Sequence, residues 1–355
     1  MNQPTQALDT APRFPDRSLA IAILGCGRIA QDAHLPAYTA HGLDIAGVWS
    51  GDDAAMSTVR DRFPSVGRVY ATPEELLADP GVAVVDIATP VAVRDEWIEA
   101  AVAAGKHVLA QKPLTLNPDR LEPVLAEAAA RGLRVAVNQN GRWAPPWRAA
   151  TLLVRSGAIG EVFAVTHLHD KQLPPIAGTP FDDLDHMLVT DYLLHWIDIS
   201  SVWLAGKTVS SVQASDARVP GQPAAAKNPW SASIAITCTD GARAEMRVTG
   251  NVRTATPSCP FWIHGTSGTV RGSVLFGSDR IALDDGEQVT EFPLAGQWFV
   301  DGFAGAMGEL LCAIAEDREP ENSAQSNLAT VRLMLAARDS ADRGGVVVEI
   351  PGLGL

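Results

Sequence analysis

The sequence is poor in the features that mark secreted, membrane and nucleic-acid-binding chains. Its four cysteines, Cys26, Cys238, Cys259 and Cys312, are too few and too scattered for a disulfide framework or a paired metal site, and they suit a reducing cytoplasm. No lysine- or arginine-rich cluster interrupts a formal net charge of −13. That balance disfavours the phosphate attraction that drives nucleic-acid binding, and an anionic membrane surface for the same reason. No apolar run is read as long enough to span a bilayer. The opening stretch, 1–17, has three prolines and no apolar h-region, so it reads as a flexible tail and not a secretion signal. Internal repeats and low-complexity blocks are missing as well.

What is present is ordinary globular composition, 46% hydrophobic and 19% charged, spread over 355 residues. That length exceeds what one core usually serves and implies two domains. Between Leu19 and Asn138 short apolar runs alternate with helical patterns, the signature of βαβ units and a parallel sheet. Ala20–Leu24, Ile45–Trp49, Val82–Ala88, Lys106–Ala110 and Leu133–Asn138 are the predicted strands. Predicted helices fall at His34–His41, Ala54–Phe63, Pro73–Ala78, Val91–Ala104 and Pro118–Arg131. Gly105 and Gly132 stand between helix and strand, where a positive-φ C-cap is wanted. After Arg142 the pattern changes. Helices are expected at Pro146–Arg155 and Val189–Leu204, a strand at Glu161–His169, and alternating strands at Thr208–Asp216, Ser231–Thr239, Ala242–Thr249, Ser258–His264 and Thr269–Leu275, before two closing helices, Val300–Ala315 and Ser323–Arg343. The expected fold is therefore α/β, with a Rossmann domain over 18–142 and a C-terminal α+β domain over 143–355 carrying a large, mostly antiparallel open sheet.

Gly25-Cys26-Gly27-Arg28-Ile29-Ala30 follows the first strand and opens a helix, the context that makes a G-x-G-x-x-G/A pattern informative. Gly25 permits the tight turn, Gly27 lets backbone approach a diphosphate, and Ala30 allows close helix–strand packing. The helix N-terminus then offers its N–H groups to the anion. The expected cofactor is NAD or NADP. At the end of the second strand, where an acidic residue usually bonds the ribose, the chain reads Ser50-Gly51-Asp52. Ser50 tolerates a 2′-phosphate, Asp52 and Asp53 repel one, and Arg28 and Arg60 are candidate phosphate partners, so the choice between cofactors stays open.

Lys112 sits at the carboxyl end of a parallel strand, where open α/β sheets bind ligands. Together, the Gly25 turn, Ala88-Thr89-Pro90, Ala104-Gly105-Lys106-His107-Val108 and Lys112-Pro113 resemble the glucose-fructose oxidoreductase / inositol dehydrogenase (Gfo/Idh/MocA) family. Further matches are Arg142-Trp143-Ala144-Pro145, Ser156–Gly160, Asp191-x-x-x-His195, Trp298–Phe303 and Ala336–Gly345, so the resemblance runs nearly the full length. It implies hydride exchange between a nicotinamide and a carbon bearing a hydroxyl or carbonyl of a sugar- or polyol-like small molecule. It also implies dimer or tetramer contacts through the C-terminal sheet. Two departures stand out: Gln111 replaces the usual glutamate before the lysine, and Val91 and Arg94 replace the usual Asn and His.

Alcohol oxidation needs a base for the hydroxyl proton while hydride leaves, and histidine suits that task near neutrality. An isolated Asp191/His195 pair reads as a satisfied helix histidine; among these motifs His195 reads as general acid/base. Lys112 then bonds the reacting oxygen, and Asp191, four residues from His195 and so on one helix face, orients the imidazole or bonds substrate. The expected cofactor contacts are Gly25, Gly27, Arg28, Ile29, Ala30, Ser50, Thr89, Pro90, Gln111, Lys112 and Asn138. Arg142, His169 and Lys171 join Asp191 and His195 as substrate contacts, with His167, His169 and Lys171 on one face of a strand. Trp143 and Trp298 read as packing. A metal held by His167, His169, Asp191 and His195 is conceivable, but the Rossmann signal makes one unnecessary. Two other activities stay open: a redox-neutral NAD-dependent glycosidase or lyase, and a dinucleotide binder without catalysis.

Overall fold

Ile21-Ala22-Ile23-Leu24 has no polar side chain to present to water, and all four residues are fully buried as β1 (Ile21–Leu24), as a central strand covered on both faces requires. The structure, a computed structural model, describes residues 8–174, 176–275 and 277–355, so 1–7 of the expected tail lie outside the described residues. Two units emerge. The N-terminal unit comprises Ala11–Trp143 and Gly296–Val331; the C-terminal unit comprises Ala144–Ala295 and Arg332–Leu355, with the described residues before Ala11.

In the N-terminal unit β1 is followed by a π turn (Ala30–His34) and α1 (Leu35–Ala40), then β2 (Ile45–Trp49), α2 (Asp53–Arg62), β3 (Arg68–Val69), α3 (Pro73–Ala78), β4 (Val84–Ile87), α4 (Val91–Ala103), β5 (His107–Gln111), α5 (Pro118–Ala130) and β6 (Val135–Asn138). The strand order is β3-β2-β1-β4-β5-β6, parallel throughout. This is the doubly wound order, whose switch point lies between β1 and β4. Helix starts follow local chemistry. Asp52 Oδ1 accepts from Ala54 N and Ala55 N to cap α2, Thr72 Oγ1 accepts from Glu75 N at α3, and Asn117 caps α5 with Pro118 in its first turn. Gly105 and Gly132 take φ of +76° and +70°, the left-handed C-caps anticipated.

The C-terminal unit begins with α6 (Pro145–Arg155) and β7 (Val162–His169), passes through α7 (Leu194–Trp203), and continues with β8 (Thr208–Ala217), β9 (Ser231–Cys238), β10 (Arg243–Thr249), β11 (Pro260–Gly265), β12 (Gly268–Ser273), β13 (Arg280–Asp284) and β14 (Val289–Glu291). The chain closes with α8 (Phe303–Ala315), which belongs to the N-terminal unit, α9 (Ala324–Asp342), which is divided between the two, and β15 (Val348–Gly354) of the C-terminal unit. The sheet order is β14-β13-β12-β11-β7-β10-β9-β8-β15. Only the β7–β10 pair among these is parallel, so the fold is α/β with a separate, mostly antiparallel sheet.

Residues 296–331, placed by the sequence pattern in the second domain, instead pack with the first. Phe303, Ala304, Met307, Leu310 and Leu311 of α8 share a buried cluster with Ile21, Ile23, Leu35 and Tyr38. An apolar helix period does not say which sheet the helix covers, whereas the small residues do: a Cβ on Gly308 would lie 2.3 Å from Arg13 O, and one on Gly305 2.4 Å from the Trp143 ring. Phe14 packs against this cluster and its ring lies 5.3 Å from that of His41, so the end of the expected tail is held in place. By length and apolarity 298–315 qualifies as a membrane span, with mean hydropathy 1.4, contrary to the reading that no run does; yet 67% of it is buried inside the protein, as befits a core helix.

Candidate active site

At the switch point, Gly25 has φ +103°, and a Cβ there would stand 3.0 Å from the Ala88 carbonyl carbon and from Thr89 N. The turn after β1 therefore closes on the turn after β4 only because position 25 lacks a side chain. A Cβ on Gly27 would meet nothing within 4 Å, leaving the backbone open to a ligand. Ala30 is fully buried, while Arg28 is exposed and paired with Asp32 at 3.3 Å. Ile29 is half-buried. Buried polar atoms here lack partners among the described residues: Thr89 Oγ1, Asn138 Oδ1 and both amide atoms of Gln139. Such atoms carry a desolvation cost unless a ligand meets them. The bare glycine backbone and these orphaned groups fit a dinucleotide. Bound there, its diphosphate would lie on the Gly25–Ala30 turn, with Thr89, Pro90 and Asn138 beside it.

At the end of β2, Ser50 is buried and its Oγ accepts from Asp52 N at 3.4 Å. The Asp52 carboxylate is engaged in capping α2 at 2.9 and 3.1 Å, which explains an acid at this position without a ribose. Trp49 and Trp97 pack at a tilt nearby, ring centroids 5.8 Å apart.

The lysine turn is held from two sides. Gln111 Oε1 accepts from Lys112 N at 2.7 Å. Arg94 is 3% exposed and its guanidinium donates to Pro113 O and Thr89 O. The residue that departs from the family pattern thus ties the β4 turn to the β5 turn through two backbone carbonyls. Arg142 donates to Glu321 O, and Trp298 Nε1 donates to Asn140 Oδ1 at 2.6 Å; Trp143 and Trp298 are both buried, as packing residues.

In the C-terminal unit Asp191 and His195 do not share one helix. Asp191 lies on a π turn, Leu188–Tyr192, closed by Leu193 N donating to Leu188 O at 2.8 Å, and His195 is the second residue of α7. The extra residue in that turn leaves the hydrophobic period almost unchanged, which is why the sequence reads as one helix. The turn also sets Tyr192 beside His169, Oη to Nδ1 3.0 Å, with its ring stacked on Trp196 at 5.3 Å. His169 Nε2 lies 3.0 Å from Lys171 O. A carbonyl only accepts, so Nε2 carries the proton and Nδ1 receives the Tyr192 hydroxyl. Burial pushes His169 down to about 4, with Lys171 adding to the effect. Burial lowers Lys171 and raises Tyr192 and the Cys259 thiol, the last to about 12. Lys171 lies past the end of β7, not within it.

His167 is a core residue: its Nε2 lies 3.1 Å from Ser200 Oγ and its ring stacks on Trp203 at 5.5 Å. Burial lowers it to about 3. Asp198 is buried in α7. No three His, Cys, Asp or Glu side chains among the described residues converge in metal-binding range. Lys112, Gln111, Thr89 and Asn138 therefore lie at the strand ends of the N-terminal unit, and His169, Lys171, Asp191 and His195 in the C-terminal unit. Sequence reasoning missed Tyr192, the clamping role of Arg94, and a buried pair, His34 and Asp86; the visible signal for the last was one carboxylate inside the apolar strand Val84-Val85-Asp86-Ile87.

Residues 19–139 match the family described as oxidoreductase, NAD-binding Rossmann fold, and residues 147–271 match the GFO/IDH/MocA C-terminal domain. An uncharacterized oxidoreductase of Rhizobium meliloti, ORF334, is 34% identical over 144 residues, spanning 40% of this chain and 43% of that one. D-apiose dehydrogenase of Rhizobium rhizogenes is 25% identical over 337 residues, 92% of this chain and 96% of its own. Among solved structures, an oxidoreductase from Agrobacterium radiobacter in complex with NAD+, L-tartaric acid and magnesium superposes with a TM-score of 0.82 at 24% identity, covering 94% of this chain and 98% of that one. With both family domains matched in order and the parallel and antiparallel sheets each in place, the chain belongs to the GFO/IDH/MocA family of NAD-binding oxidoreductases.

Proposed function

We propose that this protein is a dehydrogenase that oxidises a secondary hydroxyl of a sugar or polyol, or reduces the matching carbonyl. His195 exchanges the hydroxyl proton, and the Lys112 ammonium stabilises charge on the reacting oxygen. Asp191 orients the imidazole or bonds a neighbouring hydroxyl. Lys171 and the His169–Tyr192 pair hold further hydroxyls of the substrate. A bound nicotinamide supplies the hydride acceptor or donor. The observation that carries this reading is the Gly25–Gly27 turn at the β1–β4 switch point, in the same unit as a lysine whose turn is fixed by Gln111 and Arg94. The names of relatives such as D-apiose dehydrogenase support the substrate class. A cytoplasmic location and a homodimer or homotetramer joined through the open C-terminal sheet complete the proposal.

The test titrates NADH and NADPH fluorescence, then screens sugars, polyols and keto-sugars with native protein, Lys112→Met and His195→Ala. A lasting change in reduced nicotinamide is expected, with kcat lowered about 1,000-fold by either substitution. Turnover without net cofactor change would replace this reading with a redox-neutral one. Dinucleotide binding with activity indifferent to both substitutions would remove Lys112 and His195 from the chemistry.

A further inference from the structure

Beneath the lysine turn lies a fully buried polar cluster that no step above uses. His34 follows the glycine turn, and Asp86 sits in the middle of β4; both are 0% exposed. His34 Nδ1 is 2.6 Å from Asp86 Oδ2, and the Tyr38 hydroxyl donates to the same oxygen at 2.6 Å. Burial and the Asp86 charge push that phenol well above its ordinary value, keeping it a donor. On the other edge of the imidazole, Nε2 lies 3.1 Å from Gln111 Nε2 and 3.2 Å from Asn138 Nδ2.

Obligate partners fix the protons. The Lys112 backbone N–H can only donate, and it meets Gln111 Oε1, so the nitrogen of that amide is the atom facing His34. An amide NH2 can only donate, so His34 Nε2 accepts; an ionised carboxylate only accepts, so Nδ1 carries the single ring proton. The result is a one-way chain, Lys112 N–H to Gln111, Gln111 N–H to His34, His34 N–H to Asp86, every donor pointing toward one buried carboxylate. Chains of this kind strengthen bond by bond and hold each member in one rotamer.

We propose that His34 and Asp86 are positioning residues for Lys112, acting through Gln111 to fix the orientation in which the end of β5 presents the lysine. Gln111 is then the residue this cluster requires. A carboxylate at 111 would face the Nε2 lone pair, and the ring would need a second proton to lie between two buried anions. The kinetic consequence rests on Lys112 acting in the reaction; the hydrogen-bond chain itself does not.

The test uses the full-length protein with 15N-labelled histidine and long-range proton–nitrogen NMR, the His34 signals being those lost in His34→Gln. Native protein is expected to show a neutral His34 with its proton on Nδ1, and Gln111→Glu a doubly protonated ring. Kinetically, Asp86→Asn is expected to lower kcat by about tenfold while dinucleotide Kd stays within about twofold. Adding Gln111→Glu to Asp86→Asn moves the anion to the other end of the chain, and kcat is expected to recover to within about threefold of native. A native His34 that is doubly protonated or carries its proton on Nε2 overturns the proposal, as does a double variant no faster than Asp86→Asn alone. If Lys112→Met leaves kcat unchanged, the catalytic reading of Lys112 fails and the positioning role with it, while the NMR result still reports whether the chain exists.

Discussion

The two units prepare for a ligand by different means. In the N-terminal unit the prepared surface is mostly backbone: a glycine at φ +103°, a second with open space around it, and two turns tied by Arg94 to carbonyls. In the C-terminal unit it is mostly ionisable side chains, His169 and Lys171 at the end of β7 and Asp191 and His195 around a helix joint. A backbone surface is spoiled by adding atoms and is indifferent to pH. A side-chain surface tolerates bulk nearby but depends on titration, because burial lowers both His169 and Lys171. Under the function proposed above, the difference suits a cofactor whose diphosphate is the same in every reaction and a substrate whose hydroxyl pattern is not.

The sharpest break of this contrast comes from the glycines. Gly27→Val is expected to leave the melting temperature near native, since its Cβ has room, yet weaken dinucleotide binding by about 3 kcal/mol, roughly 100-fold in Kd. Gly25→Val is expected to lose binding and stability together, because its side chain meets the Ala88–Thr89 backbone in a left-handed conformation. Calorimetric melting alongside fluorescence titration reads both. Native-like binding by Gly27→Val would mean that the diphosphate does not rest on this turn.

Acid should weigh on the C-terminal unit through two buried histidines, beside the single lowered histidine, His107, of the N-terminal unit. His167 and His169, held to about 3 and 4 by burial, are neutral in the folded chain at pH values where the unfolded chain protonates them near 6.5. The unfolded state therefore binds more protons, and stability falls as pH drops from about 6.5 toward 4. At pH 5 the two together are expected to remove on the order of 2–4 kcal/mol, the magnitude of a few pK units shared between them. Denaturant midpoints of native protein and His169→Gln between pH 7 and 5 check the sign; an equal slope for both would show that His169 takes no part.

How much of this was legible follows the same division. The Rossmann half is written in local signals, apolar runs bounded by glycine, so β2 and α3 fall on the residues expected, and Gly25, Gly27 and Thr89 lie where the motif placed them. The C-terminal half hides its devices. β13, β14 and β15 escaped notice because they are short or lie at the sheet edges, with exposed residues that break the alternation. The π turn at 188–192 leaves no mark in hydropathy. His34 and Asp86 stand 52 positions apart, and only the parallel sheet brings them together; the lone aspartate in an apolar strand was the clue available.

The smallest effect falls on the contact that only the structure disclosed. Tyr192→Phe removes the hydroxyl that His169 Nδ1 accepts while keeping the ring stacked on Trp196. Loss of one hydrogen bond between neutral groups is worth about 0.5–1.5 kcal/mol. If the His169–Tyr192–Lys171 cluster belongs to the substrate surface, that energy appears as a rise of about three- to tenfold in KM for the alcohol, with dinucleotide Kd unchanged, because every group involved lies in the C-terminal unit. An unchanged KM with a lowered melting temperature would instead make the cluster a support of the fold, and the substrate surface would shrink to Asp191 and His195.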